Sequence, residues 1–118
     1  MSDALFVYGS LRSEFDNRYA AELRSAAELA GRATVVGSIF RVGRYPGYRP
    51  EPGGLVRGEV WRLRDPEPTL AKLDEYEGER YRRVLTATSI PEVEAWIYVY
   101  AGEVEAWQRI ESGDFLVS

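Results

Sequence analysis

Residues 4–11 read ALFVYGSL, and this stretch decides how the chain begins to fold. An uninterrupted apolar run ends at Gly9 and Ser10, a pattern typical of a buried strand that closes in a turn. Because Gly9 lacks a side chain and the strand has ended, free amide N–H groups there can hold a carboxylate or an oxyanion. The same residues also fit an ordinary turn in which the Ser10 hydroxyl bonds to its own backbone.

Two segments have the apolar spacing of helices. Residues 17–30 show this spacing and precede a glycine, which predicts a first helix with Asp16 as its N-cap. Asp65 followed by Pro66 predicts the start of a second helix, because an acidic cap and a first-turn proline both favour helix initiation. That helix is expected to end at Gly78.

Most of the remaining chain is predicted to form strands. Apolar and β-branched residues predict them at residues 33–42, 55–63, 81–89 and 95–101, in addition to the first strand. The Pro- and Gly-rich residues 43–54 predict a long irregular loop, and residues 115–117 are expected to pack back onto the body. An interior glycine at position 37 predicts a bulge or bend. With only two helices, the pattern favours an α+β fold: a small mixed, mostly antiparallel β-barrel, as one domain spanning residues 1–118.

A second motif, LDEYEG at residues 73–78, closes the second helix. Helical spacing places Glu77 on the same stripe as Leu70 and Leu73, so this acid is expected to point inward. The helix dipole and burial should both raise the pKa of Glu77 toward the range that suits proton transfer. The alternative is a partly buried glutamate that forms a salt bridge with one of the three arginines among residues 80–83. Those arginines otherwise fit a solvated strand edge better than an anion site.

The composition excludes several kinds of chemistry. The chain has 118 residues with no Cys and no His, which rules out thiol nucleophiles, disulfides, Cys or His zinc sites and Ser-His-Asp triads. Proton transfer must therefore use carboxylates, Tyr or Lys. No segment has the acidic spacing of a calcium loop, so no metal is expected.

Charge and hydropathy limit the expected partners. A net charge of −4 argues against nucleic acid, because phosphate binding draws on a basic surface. No apolar run approaches the ~20 residues that cross a bilayer, so no membrane partner is expected. The N-terminal residues lack the pattern of a secretory signal, which makes the cytoplasm the expected location.

Together these motifs resemble the gamma-glutamylcyclotransferase-like family along nearly the whole chain. The matching segments are residues 6–11 (FVYGSL), 45–47 (YPG), 56–61 (VRGEVW), 73–78 (LDEYEG) with Tyr81 and Arg83 beyond it, 96–100 (WIYVY) and 112–115 (SGDF). Their order and spacing are more specific than any one of them. The resemblance implies a small mixed barrel with helices alongside and a pocket where the loop after the first strand meets the glutamate.

The resemblance also implies roles for individual residues. Glu77 corresponds to the acid/base glutamate, and the substrate-holding loop corresponds to Tyr8, Gly9, Ser10 and Leu11. Ser10 stands where family members often have Thr, a change that keeps the hydroxyl. The substrate-binding set is completed by two tyrosines, Tyr45 and Tyr81, whereas Tyr98 and Tyr100 fit core or rim packing as well as pocket lining.

The implied reaction converts a gamma-glutamyl group of a small molecule into 5-oxoproline and releases an amine or amino acid, without a cofactor. Two other interpretations stay open. One is a non-catalytic module that binds a small acidic or glutamyl-like ligand through residues 8–11. The other is a related acyl-removing reaction on a larger, carrier-bound gamma-glutamyl chain. Neither the leaving group nor the oligomeric state follows from a motif.

Overall fold

A computed structural model describes residues 2–15 and 17–117. Within these ranges, the strands form one curled sheet and two α-helices pack against it. In chain order the elements are β1 (Ala4–Val7), α1 (Arg18–Ala26), β2 (Ala27–Val36), β3 (Ser38–Val42), β4 (Tyr45–Arg49), β5 (Leu55–Leu63), α2 (Pro66–Glu77), β6 (Tyr81–Ala87), β7 (Glu94–Tyr100) and a 3-10 turn (Ala106–Gln108).

The sheet is mixed, and β1 lies near its centre. The strand order is β2-β5-β1-β7-β4-β3, and β6 pairs with the other side of β7. The β1–β7 and β4–β7 pairs are parallel, and the other pairs are antiparallel. Beyond the end of β6, the Ser89 N–H donates to the Thr34 carbonyl of β2 at 2.9 Å, which curls the sheet into a half-barrel. The predicted α+β fold, with a mixed and mostly antiparallel sheet and two helices, is confirmed.

The alternating side chains of β1 separate two apolar clusters. Leu5 and Val7 face the helices, where they pack with Leu23 of α1 and with leucines of α2. Phe6 points to the opposite face and packs inside the half-barrel. Because both faces of β1 are buried, its sequence is continuously apolar, and truncating a side chain such as Phe6 to Ala should cost about 3–5 kcal/mol.

The first helix is shorter than predicted. It ends at Ala26, and the chain enters β2 at Ala27, whereas the apolar spacing predicted a helix through residue 30. The alanines there have high helix propensity, but β2 forms a long antiparallel ladder with β5, and this pairing outweighs local preference. The predicted N-cap, Asp16, lies outside the described residues. Asn17 caps the helix, because its side chain accepts a hydrogen bond from the Ala20 N–H at 2.9 Å.

Residues 33–42 bend at the predicted glycine. The backbone turns at Gly37 (φ 148°), so β2 ends and β3 begins there rather than continuing as one strand. A Cβ at this position would lie 2.4 Å from the Tyr48 ring, so only glycine fits the bend.

The prediction of an irregular loop over residues 43–54 is wrong in part. β4 occupies Tyr45–Arg49 and pairs with β3 as a hairpin. Pro and Gly argue against a strand, but here Gly47 packs so closely on Tyr100 that an added Cβ would lie 2.7 Å from the Tyr100 Cβ. The glycine therefore lets β4 approach β7, and β4 forms because of this tertiary contact.

The other elements follow the sequence closely. β5 and α2 have their predicted bounds, and the β6–β7 hairpin differs by at most two residues at an end. At the C-terminal end, Phe115 packs back as expected and stacks on Phe15 with ring centroids 5.9 Å apart. Leu116 and Val117 are exposed, so that part of the prediction is wrong; a turn over these residues carries only Phe115 onto the apolar cluster.

Candidate active site

A cavity of about 330 Å³ opens where the C-terminal end of β1 meets the last turn of α2. The start of β4, the start of β6 and the middle of β7 complete its wall. Its lining residues are Phe6, Val7, Tyr8, Gly9, Ser10, Leu11, Tyr45, Pro46, Tyr76, Glu77, Tyr81 and Tyr98. The structure therefore brings together all seven residues that sequence reasoning put forward for the site, whereas Tyr100 lies outside the lining.

Glu77 is the last residue of α2 and, among the residues that the structure describes, the only charged one in the lining. Leu70 and Leu73 anchor the same helix face in the apolar core, which turns Glu77 toward the cavity. Gly78 ends the helix with φ 82°, and its N–H donates to the Asp74 carbonyl at 3.1 Å. The helix is thus stopped with the carboxyl group held at the cavity wall.

The carboxyl group of Glu77 forms no hydrogen bond or ion pair with any described residue. Burial without a counter-charge disfavours the ionised form and raises the pKa of Glu77 to about 7. A group with this pKa is present in both protonation states near neutral pH. It can therefore accept and return a proton within one reaction cycle.

The alternative interpretation, a salt bridge between Glu77 and an arginine among residues 80–83, is wrong because none of these arginines pairs with Glu77. Arg83 pairs with Asp74, one turn earlier on α2, through Nε–Oδ1 and Nη2–Oδ2 contacts of 2.9 and 3.2 Å. Tyr98 donates to the same carboxylate at 2.7 Å. Partial burial raises the pKa of Asp74, but these bonds outweigh it and the pKa lies below its ordinary value. Arg80 and Arg82 are exposed and pair with no carboxylate of the described residues.

The loop after β1 lines the same cavity as this carboxyl group. Its carbonyls are already used: Gly9 accepts from the Arg12 N–H at 3.1 Å, and Ser10 accepts from the Asn17 side chain at 2.8 Å. The N–H groups of Gly9, Ser10 and Leu11 donate to no acceptor in the described part of the chain. Unpaired amides beside a cavity are suitable donors for a carboxylate or an oxyanion.

The Ser10 hydroxyl does not bond to its own backbone. Its Oγ lies 3.2 Å from the hydroxyl of Tyr76, across the cavity mouth on α2. The Tyr76 ring stacks on Tyr19 of α1, with centroids 3.9 Å apart. This contact joins the loop and both helices at the cavity, which argues against the simple-turn interpretation.

Tyr8 and Tyr81 shape the cavity without titrating near neutral pH. Tyr8 donates to the Tyr98 carbonyl at 2.6 Å, and Tyr81 donates to the Pro46 carbonyl at 3.0 Å. Burial, with the nearby negative charge of Glu77 as a further cause, raises the pKa of both hydroxyl groups. Both stay protonated, so they act as fixed walls, while Tyr45 is 52% exposed at the rim.

Sequence reasoning assigned no role to several lining residues. Tyr76 is the clearest case: helical spacing allows either Tyr76 or Glu77 on the stripe of Leu73, yet only Glu77 was proposed for the site, and both residues line the cavity. Pro46 was assigned to an irregular loop, and its place in the wall became visible only with β4. Tyr98 was recognised as a possible lining residue and does line the cavity.

The described residues contain no group of three or more acidic side chains arranged to hold a metal ion. Neither described α-helix has the length and apolar character needed to span a membrane.

Comparison with known proteins identifies the family. Residues 5–117 match the family described as "Gamma-glutamyl cyclotransferase, AIG2-like". The chain is 39% identical over 115 residues to the gamma-glutamylcyclotransferase family protein YtfP of Escherichia coli K12, covering 95% of each chain.

Solved structures agree with this match. The solution structure of the Escherichia coli protein ytfP superposes with a TM-score of 0.74 at 37% identity, covering 96% of each chain. The crystal structure of a mouse AIG2-like protein superposes with a TM-score of 0.73 at 24% identity, covering 89% of this chain and 81% of that one, which shows a shared fold. The protein therefore belongs to the gamma-glutamyl cyclotransferase, AIG2-like family.

Proposed function

We propose that the protein is an enzyme that cyclises a gamma-glutamyl group to 5-oxoproline and releases an amine or amino acid, with Glu77 as the general acid/base. The observation that carries this proposal is the carboxyl group of Glu77, which is partly buried in a cavity wall without a counter-charge and has a pKa of about 7. Membership of a family named for this reaction supports the assignment.

The proposed reaction begins with the substrate's own α-ammonium group. Glu77 takes one proton from it, and the resulting amine attacks the side-chain γ-carbonyl carbon to form the new C–N bond of a five-membered ring. The carbonyl oxygen becomes an oxyanion, which the amides of Gly9, Ser10 and Leu11 stabilise. The bond to the departing nitrogen then breaks as Glu77 returns its proton to that nitrogen. The ring nitrogen loses its second proton, which passes to the released amine, so the products are the neutral lactam and an ammonium group. The glutamate therefore ends the cycle as it began.

The enzyme's main tasks in this scheme are folding the substrate and moving protons from the attacking nitrogen to the departing nitrogen. A volume of about 330 Å³ lies at the lower end of the range for small-molecule sites and suits a compact, bent gamma-glutamyl group. Holding the amine and carbonyl in contact gains the advantage of an intramolecular reaction. Proton transfer by a positioned acid/base typically adds ~10²–10⁴-fold.

The test is incubation with a panel of gamma-glutamyl amino acids, gamma-glutamylamines and carrier-bound gamma-glutamyl chains, with 5-oxoproline measured by mass spectrometry. Glu77→Gln should abolish 5-oxoproline release while ligand binding is kept. Glu75→Gln is the matched control, because Glu75 lies on the same helix but is exposed. Unchanged turnover in Glu77→Gln would falsify the assignment.

Binding assays on the same panel separate the remaining alternatives. A ligand that raises the melting temperature of the wild type but is never turned over would indicate that the protein is a binding module rather than an enzyme. Release of 5-oxoproline only from carrier-bound chains would indicate that the substrate is a carrier-bound gamma-glutamyl chain.

A further inference from the structure

A buried ionic cluster lies outside the cavity, beneath the loop that presents the amides. Glu59 of β5 is 1% exposed and Arg12 of the loop is 3% exposed. Charged side chains are rarely buried to this extent unless they are paired or fully hydrogen-bonded. Neither residue lines the cavity, so the proposed chemistry does not use them directly.

The Glu59 carboxylate is satisfied mainly by one residue of that loop. Its Oε1 accepts from the Ser13 N–H at 2.7 Å, and its Oε2 accepts from the Ser13 hydroxyl. The indole N–H of Trp61 donates to Oε1 at 3.2 Å. Because a carboxylate is an acceptor only, these donors set where Ser13 must lie.

Glu59 stands at the point where β1 ends and the loop begins. It is the register partner of Val7, the last residue of β1. The two strands are close enough there that a Cβ at Gly58 would lie 2.3 Å from the Val7 carbonyl oxygen. The carboxylate is thus fixed to the strand that carries the chain into residues 8–11.

Arg12 also holds this loop in place. Its guanidinium pairs with Glu14 at 3.0 Å and with Asp114 of the C-terminal segment at 2.8 Å. The backbone N–H of Arg12 donates to the Gly9 carbonyl. Residues 12 and 13 are therefore held by partly buried charge-assisted bonds, and the Arg12 N–H connects them to Gly9.

We infer that Glu59 is a positioning residue, which acts through Ser13 to hold the amides of residues 9–11 in the geometry that receives the substrate. The link to turnover rests on the proposed function. The expected effect of Glu59 on the order of the loop does not rest on the proposed function, because it follows from the hydrogen bonds alone. Glu59 touches no reacting atom and acts only through the loop.

The test compares Glu59→Met with Glu59→Gln, two side chains of the same length. The Met variant removes both oxygen acceptors, whereas Gln keeps the oxygen that Ser13 N–H and Trp61 use. In Glu59→Met, amide order parameters for residues 9–13 should fall from about 0.85 to below about 0.6 in NMR relaxation. Turnover (kcat/KM) should fall about 10- to 100-fold, because a small misplacement of binding groups is costly. Glu59→Gln should keep the order parameters near about 0.85 and should keep kcat/KM within about threefold of wild type.

Two further variants keep the test decisive. Ser13→Ala removes a single hydroxyl, so it reports on the loop even if Glu59→Met does not fold. Ser2→Ala is the matched control, because its hydroxyl bonds to backbone at the opposite end of β1. The pH midpoint of turnover, which belongs to Glu77, should be the same in all these variants.

Unchanged loop order parameters in the Glu59→Met and Ser13→Ala proteins would overturn the inference, even if the melting temperature falls. Lower order parameters with unchanged kcat/KM would also overturn it, since the loop geometry would then not matter. If the loop loosens but the wild type turns over no gamma-glutamyl compound, the proposed function fails and the positioning of the loop stands.

Discussion

Replacing Glu77 with Gln should stabilise the fold at alkaline pH while it removes activity. The ordinary pKa of a glutamate is 4.5, and burial raises that of Glu77 to about 7 in the folded protein. The folded state therefore holds the proton more tightly than the unfolded state. Ionisation of Glu77 costs no stability below about pH 4.5, and its cost grows between pH 4.5 and 7.

The size of this cost follows from the two pKa values. A tenfold change in proton affinity corresponds to ~1.4 kcal/mol, so the rise from 4.5 to about 7 sets a limit on the order of 3 kcal/mol above pH 8. Gln has nearly the same shape and no charge. We therefore expect Glu77→Gln to raise the free energy of unfolding by about 2–3 kcal/mol at pH 8.5 and to change it little at pH 4.5.

Urea denaturation of both proteins at several pH values measures this difference. Glu75→Gln serves as the control, because an exposed glutamate on the same helix should give no pH-dependent difference in the free energy of unfolding. A Glu77→Gln protein that is less stable than wild type at pH 8.5, or equally affected at every pH, would refute the idea of a desolvated and unpaired carboxyl group.

Two other substitutions test the surroundings of Glu77. Tyr76→Phe removes the hydroxyl that lies 3.2 Å from the Ser10 Oγ and keeps the ring, so KM should rise about 3- to 10-fold with little change in melting temperature, as steady-state kinetics would show. An unchanged KM would mean that this contact does not order the loop. Gly113→Ala places a Cβ 2.0 Å from the Leu55 carbonyl at a residue with φ 69°, so chemical denaturation should show a loss of more than about 2 kcal/mol. A loss below about 0.5 kcal/mol would show that the backbone there adjusts freely.

The inward direction of Glu77 was predictable because a helix is a local structure with a fixed period. Leu70 and Leu73 identify the buried face, and the glycine after Glu77 marks the end of the helix. Its lack of an ion pair was not predictable. Which of the nearby arginines reaches which acid depends on how β6 pairs and on the turn before it, and the structure brings Arg83 to Asp74 instead.

The two errors in the strand and helix bounds have a common cause, which is long-range pairing. The alanines at residues 27–30 prefer a helix locally, yet the ladder between β2 and β5 makes them a strand. Likewise Pro46 and Gly47 argue locally against a strand, and contacts with β3 and β7 create one. β5 is distant in sequence from β2, and β7 is distant from β4, so a pattern read along the chain does not contain these two pairings.

The most direct test of the central claim is a titration of the Glu77 carboxyl carbon by NMR, assigned by comparison with Glu77→Gln. We expect a single transition with its midpoint near pH 7, because the group is buried without a counter-charge. A midpoint near 4.5 would show a solvated or paired carboxyl group and would contradict its role as the acid/base of this cavity.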